Sequence, residues 1–239
     1  PFDLLRPMRT EGVSYGRPYS IQTAIRSFEA PRPLTELRYH GGSSTLQSIS
    51  AAHAQQWPMG FAPRGDSMRV LFGYAGQSTN GIYPRSQMRL RRVLGRVTYW
   101  RPGWSARLQY LFNQHGQDAH SGVIRRGSLT TLFDPVGAQV RPTDARREIA
   151  RHDLSGRFRL TWHRPADPLT VRAFWTSHDL EYTASGERWE APANRFGGQL
   201  RQVAELGAHR LDAQAGLWRT RVTGGNGVLG HEGLAEAAY

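Results

Sequence analysis

Apolar and polar residues alternate singly through much of this chain. Between Trp104 and Asn113, one parity is wholly apolar and the other is mostly polar, with Arg107 and Gln109 among its members. Successive side chains of a β-strand point to opposite faces of its sheet, so this alternation predicts a strand with one apolar and one mostly polar face. The same period recurs from 68 to 75 and from 154 to 163.

Turn residues separate the alternating segments and predict a series of antiparallel hairpins. The first two strands are expected at 34–40 and 46–57, joined by a turn at Gly41 to Ser44. Roughly nine or ten strands are expected in all. Met88 and Leu90 break the phase that resumes at Val93, which predicts either a bulge or a strand that leaves a membrane near Arg92.

The predicted connections alternate in length. Long irregular stretches are expected at His115–Glu148 and Thr183–Asn194. Short connections on one side and long loops on the other are typical of outer-membrane barrels. The short ones follow Trp57 and span 101–103, 164–168 and 207–210, and the long ones follow Ala75, Gln114, Tyr182 and Val222.

Two architectures compete for this pattern. A soluble sandwich or propeller would bury the apolar faces in a core, whereas a membrane barrel would turn them toward lipid. The long loops and strands of about ten residues favour the barrel, because globular strands average about 5–6 residues. We therefore predict an all-β, antiparallel up-and-down transmembrane β-barrel, of which the chain holds an incomplete part. Residues 1–33 are expected to form an extended segment leading into it, and 34–239 its strands, turns and loops.

Parity assigns side chains to the two faces of this barrel. Tryptophan is expected beside the short turns, where indole rings prefer the headgroup boundary of a membrane. The predicted aromatic girdle consists of Trp57, Trp100, Trp104 and Trp162. The predicted lumen-facing residues are Arg69, Arg107, Gln109, Asn113, Arg157, Arg159 and Thr161. The predicted lipid-facing residues are Met68, Val70, Phe72, Tyr74, Val93, Val97, Tyr99, Leu108, Tyr110, Phe112, Leu154, Phe158 and Leu160. The faces of 87–92 and 173–176 stay open.

Charge and chemistry narrow the functional classes. The chain has no Cys, a formal net charge of +12, and arginine as its only cationic side chain besides histidine. The arginines are spread over nearly every strand, unlike a nucleic-acid-binding patch, so no nucleic-acid partner is predicted. His115 and His120 share one loop without a third ligand, and no metal, cofactor or catalytic residue is predicted. His53, His152 and His163 would be the weak candidates for a hydrolase on the lumen wall.

Several segments also resemble a known family. The stretch RPLTELRYHGGSSTLQSISAAHAQQW, with its T-x-L-x-Y strand and Gly/Ser turn, is similar to the start of the barrel in the β-barrel porins of Gram-negative outer membranes. The later segments FNQHGQDAHSG and DARREIARHDLSGRFRL resemble that family too, although the absence of Lys departs from it. The resemblance implies a barrel integral to the bacterial outer membrane, and it implies no substrate or catalytic residue.

The function expected from these features is passive. A porin-like barrel in contact with outer-membrane lipid would pass small hydrophilic solutes. A lumen lined by Arg69, Arg107, Arg157 and Arg159 would favour anions. An equal alternative is that these arginines pair with carboxylates or extend into the water above the membrane. A non-conducting barrel that docks partners through His115–Glu148 is the second function considered, and an outer-membrane enzyme the third. The pattern carries no signal for oligomeric state.

Overall fold

The computed structural model describes ten strands of one antiparallel sheet. The described residues are 32–43, 45–59, 66–81, 85–119, 145–161, 168–184, 186–206, 209–223 and 229–238. The predicted extended segment therefore lies almost wholly outside them. The strands are β1 Leu34–Gly41, β2 Gln47–Pro58, β3 Ser67–Thr79, β4 Met88–Arg101, β5 Trp104–Ala119, β6 Ala145–Leu160, β7 Leu169–Ala184, β8 Glu187–Leu206, β9 His209–Val222 and β10 Leu229–Ala238.

The strands follow an up-and-down order. Each pairs with its neighbours in sequence, from β1 through β10, and all pairs are antiparallel. Among the described residues the sheet is not closed, because β1 and β10 each have a partner on one side alone. The prediction of an all-β, up-and-down sheet is confirmed. A sandwich or a propeller would need several sheets, and these ten strands form one.

The strands run further than the sequence pattern predicts at one end of the sheet. His115 lies within β5, and β6 already begins at Ala145, so the predicted irregular stretch His115–Glu148 is too long, and 120–144 lies outside the described residues. The predicted loop Thr183–Asn194 is wrong, because β7 and β8 continue as a tight hairpin through it. Paired polar residues on both strands sustain this extension, and the pattern alone reads such residues as loop. The predicted contrast between short and long connections is correspondingly reduced.

The register of β4 excludes a bulge. Arg91 pairs with Gly76, and Arg92 pairs with Ala75, without an extra residue on either strand. Met88 and Leu90 therefore share a face with Arg92, and the bulge predicted near Arg92 is wrong. The phase break reflects a change in the composition of the two faces along an unbroken strand.

Two tight turns depend on glycine. In the β4–β5 hairpin, Arg101 pairs with Trp104 across Pro102 and Gly103, and Gly103 has φ of 92°. Proline followed by a glycine at positive φ is the sequence of a type II turn. Gly186, with φ of 83°, has the same left-handed backbone in the β7–β8 hairpin.

The unbroken register gives the sheet two chemically different faces. One face, called here the apolar face, carries Met68, Val97, Leu108, Phe158 and Trp175. The opposite face, called the polar face, carries Arg69, Thr98, Arg107, Arg157, Arg172 and Gln199, which are aligned across six strands.

Burial on these faces is the reverse of that in a water-soluble core. Leu108 on the apolar face is 56% exposed and Leu217 is 70% exposed, whereas Arg96 on the polar face is 8% exposed and Gln109 is 5% exposed. Every pair of described strands in substantial contact is a pair of neighbours in the sheet. The described residues thus place no second layer against the apolar face, although such a face in water would need one.

We predict that Gly197→Ala destabilises the β8–β9 hairpin. A Cβ at Gly197 would lie 2.5 Å from Cβ of Trp218 and 2.6 Å from the carbonyl oxygen of Leu217. Such overpacking costs about 1–3 kcal/mol. The matched control is Gly156→Ala, because a Cβ there meets nothing within 4 Å. Urea unfolding of both variants should show a lower midpoint for Gly197→Ala alone, and equal midpoints would contradict the packing described.

Candidate functional site

The structure sorts the predicted lumen-facing and lipid-facing residues onto opposite faces. Arg69, Arg107, Gln109, Asn113, Arg157 and Arg159 all lie on the polar face, and Thr161 follows the end of β6. The thirteen predicted lipid-facing residues, Met68, Val70, Phe72, Tyr74, Val93, Val97, Tyr99, Leu108, Tyr110, Phe112, Leu154, Phe158 and Leu160, all lie on the apolar face.

The predicted aromatic girdle divides between the faces. Trp57 and Trp104 lie on the apolar face, near the end of the sheet that carries the turn at 102–103. The Trp104 ring lies 5.0 Å from Tyr99 and 5.6 Å from Phe158, centroid to centroid, so three strands share one aromatic cluster. Trp100 lies on the polar face, opposite the girdle in which it was predicted, because it follows Tyr99 directly. Trp162 lies outside the described residues.

This end of the sheet, called the lower end, is also tied by a buried carboxylate. Asp66 is 5% exposed and accepts a hydrogen bond from the hydroxyl of Tyr99. Nε of Arg101 lies 3.8 Å from its Oδ1. The backbone oxygen of Asp66 accepts a hydrogen bond of 3.1 Å from the amide of Met59. The connection from β2 to β3 is thereby fixed to β4.

The large apolar residues form a belt that crosses the sheet diagonally. At the opposite or upper end, the belt stops at Tyr39, Ile49, Tyr74, Val93, Phe112, Leu154, Trp175, Phe196 and Leu217 on successive strands. Leu217 is level with Gln55 in the register, so the limit falls six residues between Ile49 on β2 and Leu217 on β9. That is about 20 Å along the strands over about 35 Å across them, an inclination of about 30°.

Above the belt, the apolar face becomes a charged rim. Arg146 contacts Glu148 at 3.3 Å, and Arg188 contacts Glu181 at 3.0 Å and Glu190 at 2.7 Å. Arg91 belongs to this rim as well. An open cleft of about 250 Å³ in the rim is lined by Gln87, Arg89, Arg91, Gln114, Gly116, Asp118, Arg146 and Glu148. Acidic and basic groups are mixed here, and the carboxylates neutralise much of the charge.

On the polar face, the amide side chains of glutamines bind two arginines. Nε of Arg96 donates to Oε1 of Gln109 at 2.8 Å, and both residues are buried. Nε of Arg69 donates to Oε1 of Gln56, also at 2.8 Å. A neutral amide accepts the hydrogen bond without cancelling the charge of the guanidinium.

Two aspartates on the polar face are engaged by other groups. Asp153 accepts three hydrogen bonds of 2.8–3.1 Å from Arg151 and one of 2.7 Å from the hydroxyl of Thr176. Asp212 accepts hydrogen bonds from Arg201, one of them 2.7 Å long. Each carboxylate thus neutralises an arginine close to it.

Three further arginines stand side by side on the polar face. Arg107 pairs in register with Arg157, and Arg157 pairs with Arg172. We call these three residues the arginine row. In the same register position, Thr98 and Arg69 follow on β4 and β3, and Gln199 follows on β8.

Several members of the polar face were not predicted from the sequence. The segment 173–176 was ambiguous because Phe174 and Trp175 are adjacent, and the register now assigns Phe174 to the polar face and Trp175 to the apolar face. Extending the parity of β7 back from Trp175 would have found Arg172. Applying the parity of β4 from Val97 would likewise have assigned Arg96 to the polar face. Nothing in the pattern indicates that Thr176 binds Asp153 or that Arg201 binds Asp212, because each of these contacts joins two strands.

Two of the histidines considered for a hydrolase on the lumen wall, His53 and His152, lie within the described residues, and both are on the apolar face. His53 lies on the apolar face, 2.8 Å from the hydroxyl of Thr35, and His152 lies there too, 2.8 Å from the hydroxyl of Tyr110. A hydrolase on the lumen wall would need them on the other face. His163 and His120 fall outside the described residues. Within the described ranges no three acidic or histidine side chains are grouped to hold a metal ion, and no helix there has the length and hydrophobicity to cross a membrane.

Comparison with known proteins adds no relative: no protein-family model, no curated protein and no solved structure matches the chain. The resemblance of its segments to the β-barrel porins therefore stays a prediction.

We predict that Gln109→Leu destabilises the sheet by leaving the buried Arg96 without the acceptor for its Nε. Losing a hydrogen bond to a charged group costs about 1.5–3 kcal/mol. The double variant Arg96→Leu with Gln109→Leu removes both partners and should recover much of that loss. Urea unfolding of the two variants measures this difference. A single variant as stable as the parent would contradict the contact.

Proposed function

We propose that the protein is an outer-membrane barrel through which small hydrophilic solutes pass passively. The observation that supports this proposal is that burial on the two faces is the reverse of burial in a water-soluble protein. Large apolar side chains such as Leu108 are exposed on one face, and polar side chains such as Arg96 and Gln109 are buried on the other. A sheet with an apolar exterior and a hydrogen-bonded polar interior matches the needs of a chain surrounded by lipid.

The dimensions of the apolar belt agree with this proposal. On β5 it runs over nine residues, from Trp104 to Phe112. A strand tilted in a bilayer needs about 9–11 residues to cross it. Strands of transmembrane barrels tilt by about 35–45° from the barrel axis, and the belt of this sheet is inclined by about 30° to the perpendicular of the strands, which corresponds to a strand tilt of about 30°. The aromatic cluster of Tyr99, Trp104 and Phe158 would then lie at one headgroup boundary, and the charged rim would extend beyond the other.

Closure into a ring follows from the cost of free edges in lipid. The unpaired amides and carbonyls of β1 and β10 would each cost several kcal/mol in hydrocarbon. We infer that both edges are paired in the membrane, with each other or with further strands. The polar face would then surround water, and solute size would be limited by the width of the ring.

A charge on the apolar face should distinguish lipid from water as its environment. Leu108→Arg places a guanidinium inside the belt, where lipid contact costs about 2–4 kcal/mol, and we expect less folded protein in liposomes. The control Gln114→Arg puts the same charge on the same face of β5 above the belt, and it should insert normally. Heat-modifiable migration on gels measures the folded fraction. Equal insertion of both variants would show that Leu108 meets water.

Conductance tests the proposed passage directly. We expect the full-length protein to give stable single-channel steps in planar bilayers, because a ring lined by the polar face holds a continuous water path. Conductance should rise in proportion to the KCl concentration as long as no ion-binding site in the pore is saturated. A protein that inserts, as judged by heat-modifiable migration, and yet stays silent would contradict the pore.

A further inference from the structure

The polar face concentrates positive charge that its own carboxylates do not balance. Below the upper limit of the apolar belt, eight arginines of the described residues lie on this face: Arg38, Arg69, Arg96, Arg107, Arg157, Arg159, Arg172 and Arg201. Glu36, Glu205 and Asp212 are the carboxylates on the described part of this region. The charged rim, in contrast, mixes both signs. Within the described sheet, the polar face therefore carries a net positive charge.

The arginine row is the densest part of this charge. Neighbouring strands lie about 4.8 Å apart, and same-face side chains in register have Cβ atoms about 4.5–5.5 Å apart. Like charges directly opposite each other destabilise a sheet. Arg107, Arg157 and Arg172 make two such pairs in succession. Binding of an anion across them would remove this repulsion.

The acceptors that bind the arginines beside the row are neutral amides, and the nearby carboxylate of Asp153 is engaged elsewhere. Asp153 is four residues from Arg157 along β6, about 13 Å in an extended strand, and it is bound to Arg151 and Thr176. Next to the row, the acceptors are the amides of Gln56 and Gln109 rather than carboxylates. Glutamate at either place would have formed an ion pair. The amides hold Arg69 and Arg96 in position without cancelling their charges.

Guanidinium chemistry indicates the class of anion. The planar guanidinium presents paired N–H donors that match the oxygens of phosphate, sulfate and carboxylate, whereas chloride offers no such geometry. Adjacent guanidiniums on neighbouring strands can share one tetrahedral oxyanion.

We propose that the arginine row is a binding site for phosphate-type oxyanions inside the barrel, and that it makes passage selective for anions. This inference rests on the proposed pore. The row acts by attracting oxyanions to the polar face and by holding them briefly through bidentate hydrogen bonds, without chemical turnover.

The test uses the full-length protein in planar bilayers with a KCl gradient and added inorganic phosphate. We expect a reversal potential that favours chloride, and a chloride current that falls as phosphate is titrated in. Arg157→Gln removes the central charge, and it should lower the anion preference and weaken the effect of phosphate about tenfold or more. Arg188→Gln, in the charged rim, removes the same charge elsewhere and should change neither quantity. If Arg157→Gln fails to fold, Arg172→Gln replaces it.

The outcomes separate the two proposals. A conducting protein without anion preference would overturn the oxyanion site and leave the pore intact. Anion preference that neither phosphate nor Arg157→Gln alters would overturn the assignment to the arginine row. An inserted but silent protein would overturn the pore, and with it the inference that depends on the pore.

Discussion

Backbone pairing in an unbroken register is the constraint on which the rest of this structure depends. Each strand alternates its side chains between two faces, and a shift of one residue would exchange them. From β2 to β9 the register carries no extra residue, so Gln55 is level with Leu217 across seven strand pairs. The division into an apolar and a polar face therefore persists across the sheet. The belt and the arginine row both depend on this division.

The same constraint explains which features the sequence could predict. Parity is a local property, and it correctly grouped Val70, Val97 and Leu108 on one face because each lies in a cleanly alternating segment. It failed where both faces share a character, as at Phe174 beside Trp175. Strand ends were also missed, since the polar hairpin of β7 and β8 is sustained by cross-strand pairs that a single segment cannot reveal. Contacts such as Thr176 with Asp153 and Arg201 with Asp212 depend on the register, which composition does not specify.

The polar face shows why amides matter as much as charges. Buried guanidiniums require hydrogen-bond acceptors, and either a carboxylate or an amide would supply one. A carboxylate beside Arg96 would neutralise it, as Asp212 does for Arg201, whereas Gln109 satisfies its Nε and retains the charge. The two kinds of acceptor on one face therefore have different effects on the arginines that they bind: Asp212 neutralises Arg201, and Gln109 leaves Arg96 charged.

Because the belt is inclined, the arginines of the row do not all lie at the same distance below its upper limit. The row follows the register, at right angles to the strands, whereas the limit of the belt falls across them. Arg107 is five residues below the limit at Phe112, but Arg157 and Arg172 are each three residues below theirs, at Leu154 and Trp175. If the belt marks the membrane, Arg107 stands deeper below its upper limit than Arg157 and Arg172 do, with a difference of about 7 Å along the strands. An anion would then meet two levels of guanidinium in succession, and hydrogen bonds given up at one level could be replaced at the other.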